Sequence, residues 1–301
     1  MNRLIHTLAL IALLLVAPLA RAELKVLACE PEWGALVKEL AGDKVSVYVA
    51  TTALQDPHRI EARPSLVAAA RNAGLVVCTG AELEVGWLPL LIRQSGNSAI
   101  QPGKPGHFEA AAYVRMLDVP QRLDRADGDV HAAGNPHIQT DPRNIALVAE
   151  PLARRLAELD PANAATYQAR SADFQARWKA AIQRWEQSAA PLRGVPVVVL
   201  HKAFPYLQQW LGLVEVAALE PKPGVEPTSA HLSTVLAGLK TRPAKMILRA
   251  AYNDPRGADW LAERTQLPVV VLPFTVGGNE QAKDLFSLFD DTVQRLLKAN
   301  R

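Results

Sequence analysis

Residues 162–189, ANAATYQARSADFQARWKAAIQRWEQSA, contain neither glycine nor proline, and their reading decides the fold. The run reads as one helix, opened by an N-cap at Asp160 with Pro161 in the first helical position, where a missing N–H costs nothing. At 1.5 Å per residue it would span roughly 42 Å, more than a single small domain needs. Tyr167, Phe174, Trp178, Ile182 and Trp185 recur at helical spacing and form a stripe for packing against other elements.

On both sides of this helix, short apolar runs alternate with helical patterns, which is how a parallel sheet with crossover helices looks in sequence. Upstream, strands are predicted at 25–29, 45–50 and 74–79, with a weaker one near Ala99. Helices are predicted at 32–41, 64–72 and 83–94. Residues 101–107 and 125–136 read as loops, and 142–158 as a further helix. Downstream, strands fall at 195–200, 213–219, 244–248 and 268–272, and helices at 204–211, 228–239, 255–265 and 281–298. The fold class expected is therefore α/β, with two lobes, each a mostly parallel four-stranded sheet flanked by helices, joined by a long rigid helix. The expected division is a signal peptide at 1–22, an N-terminal lobe at 23–141, linking helices at 142–190 and a C-terminal lobe at 191–301.

The first 22 residues carry the marks of an export signal: Arg3, an apolar stretch from Leu8 to Val16, and the small-residue box Ala20-Arg21-Ala22 before Glu23. The apolar stretch is shorter than the roughly 20 residues that cross a bilayer. No cysteine follows the box, so an exported chain without a lipid anchor is expected, in the periplasm. Removing residues 1–22 takes away Arg3 and Arg21 and no acids, so the net charge falls from +3 to +1. A nearly neutral chain gives no support to nucleic-acid or membrane binding. The two cysteines, Cys29 and Cys78, each close an apolar run on strands that look like parallel neighbours. Disulfide geometry is demanding, so two buried free thiols are the favoured reading, although an oxidising compartment permits a bond.

Three histidines carry the chemistry: His58 in Asp56-Pro57-His58, His137 in Asn135-Pro136-His137, and His201 in His201-Lys202-Ala203-Phe204-Pro205-Tyr206. Ligands of open α/β sheets bind beyond the carboxyl ends of strands. His58 follows one such strand through a short loop and His201 ends another. Neutral imidazole is the commonest biological metal ligand, and three imidazoles plus one oxygen suit tetrahedral Zn²⁺, whereas manganese prefers more carboxylate. There is no HExxH, GxSxG or GxGxxG motif.

Asp56-Pro57-His58-x-x-Glu61-x-x-Pro64-Ser65, then His137 with Asp141-Pro142, then His201-x-Ala203-Phe204-x-Tyr206 resemble, in that order, the ligand motifs of the zinc and manganese receptors of bacterial ABC importers. The resemblance covers essentially the whole mature chain. It implies a periplasmic solute-binding protein, not an enzyme, with His58, His137 and His201 as metal ligands. The metal is cargo handed to a membrane permease, released by a modest lobe or loop rearrangement on docking. Histidine at the third position marks the zinc type, so Zn²⁺ is expected and Mn²⁺ disfavoured. The chain departs from the family at the fourth ligand: where many relatives carry an Asp, it has Val276, which cannot coordinate. Water, Asp56, Glu61, Glu280 and His131 are the candidates. His131 lies on a loop bracketed by Gly128 and Gly134, as a ligand or capture residue. The His-rich acidic loop of some zinc receptors is absent. A monomer is expected, and the sequence leaves open whether a metallochaperone loads it. The alternative function is a zinc hydrolase using the same three histidines. His107, His231 and the charges of 220–226 are read as solvated surface.

Overall fold

The computed structural model describes residues 23–122 and 128–301; the export signal read at 1–22 and the start of the loop read at 125–136 lie outside the described residues. Strands β1 (Leu24–Ala28), β2 (Val45–Val49), β3 (Leu75–Cys78) and β4 (His107–Glu109) form one sheet in the order β2-β1-β3-β4. Strands β5 (Pro196–Val199), β6 (Val214–Ala218), β7 (Met246–Ala250) and β8 (Val269–Leu272) form a second in the order β6-β5-β7-β8. Every pairing is parallel. The two sheets share one topology, and in each the first strand has its neighbours on opposite sides. That arrangement opens a crevice at the strand ends where a ligand can sit.

Helices α1 (Pro31–Ala41), α2 (Pro64–Asn72) and α3 (Leu88–Ser95) cover the first sheet; α6 (Pro205–Leu211), α7 (Ser229–Gly238), α8 (Arg256–Thr265) and α9 (Leu285–Ala299) cover the second. Between the lobes lie α4 (Pro142–Leu159) and α5 (Ala164–Ser188). The 25 residues of α5 span about 37 Å. One continuous apolar cluster runs from β1 and α1 through α4 and α5 to β5, α6 and α9, with a smaller cluster behind each sheet. Its spine is aromatic: Phe174 and Trp178 stack at 5.2 Å, Trp178 meets Trp185 edge-on at 5.2 Å, and Trp185 lies 5.3 Å from Phe289. The indole N–H groups are satisfied: Trp178 donates to the Pro142 carbonyl at 2.7 Å and Trp185 to Asp290 at 2.6 Å. Truncating either ring to alanine would cost about 3–5 kcal/mol. The lobes are thus fused through a shared core, and a wide hinge motion would have to break it.

Four local expectations are corrected. The fourth strand is not near Ala99, where a single 3₁₀ turn (Ser98–Ile100) buries Ile100, but at His107–Glu109, paired with Val76–Cys78. The helix expected from residue 83 begins at Leu88. Ala81 and Glu82 adopt positive φ (49° and 66°), turning the chain so that the Glu84 carboxylate accepts the Thr79 and Gly80 N–H groups at 2.7 and 3.1 Å. Cys29 and Cys78 are not free thiols but a disulfide: they sit on the paired strand ends of β1 and β3 with Cα atoms 4.8 Å apart, within bonding range. His107 is not solvated either; its side chain is 7% exposed and bonds to the Ile100 carbonyl and Glu109.

Candidate metal centre

The His58 turn is built locally. Asp56 Oδ1 accepts the His58 backbone N–H at 3.0 Å, closing the turn, and also receives His58 Nδ1 at 2.8 Å. Trp87 donates its indole N–H to the Pro57 carbonyl at 2.8 Å, and a Cβ at Gly86 would lie 2.9 Å from the His58 carbonyl, so the turn rests directly on glycine backbone. With Nδ1–H donating to a carboxylate, Nε2 is the lone-pair nitrogen. It is buried and has no partner in the protein. Burial opposes ionisation of Asp56, but its bonds to His58 win and hold its pKa below the ordinary value.

His201 follows the same logic. It stands two residues beyond Val199, the end of β5, and its Nδ1 meets Glu220 Oε2 at 2.7 Å. Glu220, expected to be solvated, is only 12% exposed at its side chain. His137 lies in a turn fixed on every side. Asn135 Oδ1 accepts its backbone N–H at 3.0 Å, Thr140 Oγ1 donates to its carbonyl at 2.9 Å, and Asp141 caps α4 by accepting the Arg143 N–H at 2.8 Å. Asn135 also donates to the Lys202 carbonyl at 2.8 Å, and the Tyr206 hydroxyl donates to the Asn135 carbonyl at 2.7 Å. The turns holding His137 and His201 are therefore tied together across the lobes. Phe274, held at φ 69°, sets its ring edge-on to His137 at 5.4 Å.

The structure brings all four candidate histidines to one place. Ring centroids are 5.4 Å apart for His58 and His137, 5.6 Å for His137 and His201, and 6.2 Å for His58 and His201, while His131 stacks 5.3 Å from His58. Imidazoles sharing one tetrahedral ion at Zn–N distances of about 2.0–2.1 Å place their ring centres roughly 5 Å apart, so the cluster is slightly open and has to contract around an ion. Donor atoms already within 4.8 Å of one another occur, among the described residues, at Cys29, Cys78 and Glu84. There, however, the two sulfurs are bonded to each other and offer no thiolate, whereas the histidine nitrogens are available. His137 Nδ1, like His58 Nε2, is buried without a protein partner. Orphaned polar atoms at a common centre are what a ligand set looks like without its ion.

Burial, reinforced by His58, lowers the His131 pKa to about 4, and burial with His58 and His201 holds His137 well below the ordinary imidazole range. Both rings are therefore neutral and fit to coordinate at neutral pH. The carboxylates offer less. Asp56 and Glu220 spend an oxygen on His58 and His201, Glu61 and Glu280 are exposed, and Val276 packs against the core. Two cavities, of about 390 and 700 Å³, flank the cluster and share His201, Glu220 and Asp129 in their walls. Asp56, Asp129, Glu220, Glu226 and Asp254 against Arg59 and Arg256 give the smaller one an acidic lining that favours cations. His231 lines the larger one, bonded to the Ala218 carbonyl.

Comparison with known proteins places this geometry in a family. The family model described as "Zinc-uptake complex component A periplasmic" matches residues 26–299. The chain belongs to that family. It is 26% identical over 275 residues to the "High-affinity zinc uptake system protein ZnuA" of Paracoccus denitrificans, covering 79% of each chain. It is 22% identical over 286 residues to the "Manganese ABC transporter substrate-binding lipoprotein PsaA" of Streptococcus mitis, covering 92% of this chain and 87% of that one. A crystal structure of ZnuA, 24% identical, superposes with a TM-score of 0.74 over 92% of this chain and 99% of its own. A zinc-bound deletion mutant of ZnuA, 25% identical, superposes with a TM-score of 0.75 over 92% and 98%. The family consists of metal-binding solute receptors that work with ABC importers in the periplasm, not of enzymes.

Proposed function

We propose that this receptor captures one Zn²⁺ between its lobes through His58, His137 and His201, takes a fourth nitrogen from His131, and delivers the ion to the permease of an ABC importer as a monomer. The observation that carries the reading is the division of labour among donors. Imidazoles gather at the centre, while the two carboxylates bonded to ligand rings, Asp56 and Glu220, lie behind those rings at Nδ1. An all-nitrogen set suits zinc and gives manganese none of the oxygen it prefers. Val276, where an Asp would add an oxygen, supports the same choice. Cys29 is fully buried and bonded to Cys78, which removes it as a site for acylation and favours a receptor free in the periplasm.

Competition titration with zinc and manganese, on the parent and on His58→Ala, His137→Ala and His201→Ala, tests the proposal. One zinc per chain, lost in each variant, is the expected result. Manganese outcompeting zinc, or zinc retained when the three residues are removed together, refutes it.

A further inference from the structure

We propose that Glu220 is a positioning residue that joins two loops of the metal centre through one oxygen, fixing His201 and seating the strap that carries His131; this rests on the assignment of His131 as a ligand. Glu220 Oε2 accepts from His201 Nδ1 at 2.7 Å and from the Gly224 N–H at 2.8 Å. The turn so formed is the seat of the strap. Asp129 donates its N–H to the Pro223 carbonyl at 2.8 Å, and two residues further on His131 stacks on His58. The other end of the strap is tied to the N-terminal lobe, where the Ala132 N–H donates to the Glu82 carboxylate at 2.5 Å.

Two glycines face each other across this seat, Gly128 against the Pro223 backbone and Gly224 against the Asp129 side chain. A Cβ at Gly128 would lie 2.2 Å from the Pro223 carbonyl oxygen, and one at Gly224 would lie 2.0 Å from Asp129 Oδ2. Both residues also hold positive φ, 82° and 73°, where a side chain is strained. At Gly128 the strap can therefore lie against the turn only as backbone on backbone, whereas a side chain at Gly224 would be strained by its φ and would push the Asp129 carboxylate aside. A metal-bound His201 fixes Glu220, Glu220 fixes Gly224, and Gly224 fixes the height at which His131 meets the ion. Partners behind ligating groups commonly hold 10–100-fold of metal affinity, and Glu220 serves two such groups at once.

The test is the rate of zinc loss into excess chelator. Gly224→Ala strains the turn at its positive φ and displaces the Asp129 carboxylate of the strap without touching any ligand. It should release zinc about 10–100-fold faster than the parent, as should Gly128→Ala from the other side of the contact and His131→Ala. If the strap acts through His131, Gly224→Ala/His131→Ala should be no faster than His131→Ala alone. Glu220→Ala, which strikes both arms, should exceed either glycine variant. Gly194→Ala is the control, because Gly194 has the same positive φ, 77°, but open space at its Cβ; it should behave as the parent.

Parent-like rates for both glycine variants, or effects that multiply in the double variant, overturn the positioning role while leaving His131 as a ligand. A parent-like rate for His131→Ala overturns the ligand and the strap together. Loss of zinc stoichiometry only in His137→Ala and its companions keeps the three-histidine centre separate from both outcomes. Thermal melting of each variant without metal shows that the fold is retained.

Discussion

Replacing Asp56 isolates how much of the zinc affinity comes from holding an imidazole in place. Its Oδ1 accepts both the backbone N–H and the Nδ1 of His58, at 3.0 and 2.8 Å. Asp56→Ala removes both bonds and leaves the ring free to turn and to change tautomer, so part of the population presents an N–H where a lone pair is needed. A hydrogen bond to a charged group is worth about 1.5–3 kcal/mol. The Asp56 side chain is 40% exposed, so water screens the bond and the lower end applies. That corresponds to about a tenfold loss of zinc affinity, at 1.4 kcal/mol per factor of ten. Asp56→Asn keeps an acceptor oxygen but not the charge and should fall between the two. Affinity is read by competition with a chromophoric chelator, with far-UV circular dichroism as the check on folding. If Asp56→Ala binds zinc as tightly as the parent, the orientation argument for His58 is wrong, and by the same reasoning Glu220 would lose its role behind His201.

Further outcomes are specific. His137→Ala should lower zinc affinity at least a hundredfold and far more than His131→Ala, because it removes a buried ligand from a three-imidazole core; isothermal titration compares them. Cys29→Ser/Cys78→Ser should lose about 2–4 kcal/mol of stability, since the bond closes a chain separation of 49 residues. Zinc stoichiometry should stay at one in that variant, read by denaturant melts and metal analysis. Glu32, buried in α1, has its pKa raised by burial from 4.5 to about 7 and accepts a hydrogen bond from Thr275. A carboxyl raised in the folded state holds its proton there after the unfolded chain has lost it, so stability should fall as pH rises from 4.5 to about 7. Glu32→Gln keeps an acceptor for Thr275 and should remove the Glu32 share of that slope, leaving the share of Glu30 and Glu84, which burial raises in the same direction, and gaining on the parent above pH 7 by at most about 3 kcal/mol; melting temperatures across pH 5–8 read the difference.

Much of this molecule is legible in its sequence because the signals are strong and local. The 162–189 run has no breaker, and the apolar runs at Val26–Ala28, Leu75–Val77 and Val197–Val199 are buried on both faces, as parallel strands require. Proline beside His58 and His137 marks turns. What escapes is set by contacts between distant residues. The strand at His107–Glu109 has a single buried apolar residue, Phe108, and exists because β3 offers an edge to pair with. Glu220 looks solvated in a Pro-Gly-rich stretch, yet it is buried by a histidine 19 residues earlier in the chain. Gly86 and Trp87, which seat the His58 turn, carry no local sign of that role. Neither does Phe274, whose ring edge faces His137. The disulfide depends on strand-end spacing, which the neighbouring positions of β1 and β3 suggest but do not fix.

The apolar cluster common to both lobes imposes an order on how the receptor is made. A chain that emerges from its N-terminus delivers α1 and α5 before α9. Leu285, Leu288, Phe289, Val293 and Leu296 of α9 are all buried in the cluster, with Phe289 against Trp178 and Trp185. Until they arrive, that indole surface is uncovered and sticky. The shared core stays open on this side until α9 docks, so a chain stalled or truncated before Leu285 should present these rings to chaperones and proteases rather than mature as a half-receptor.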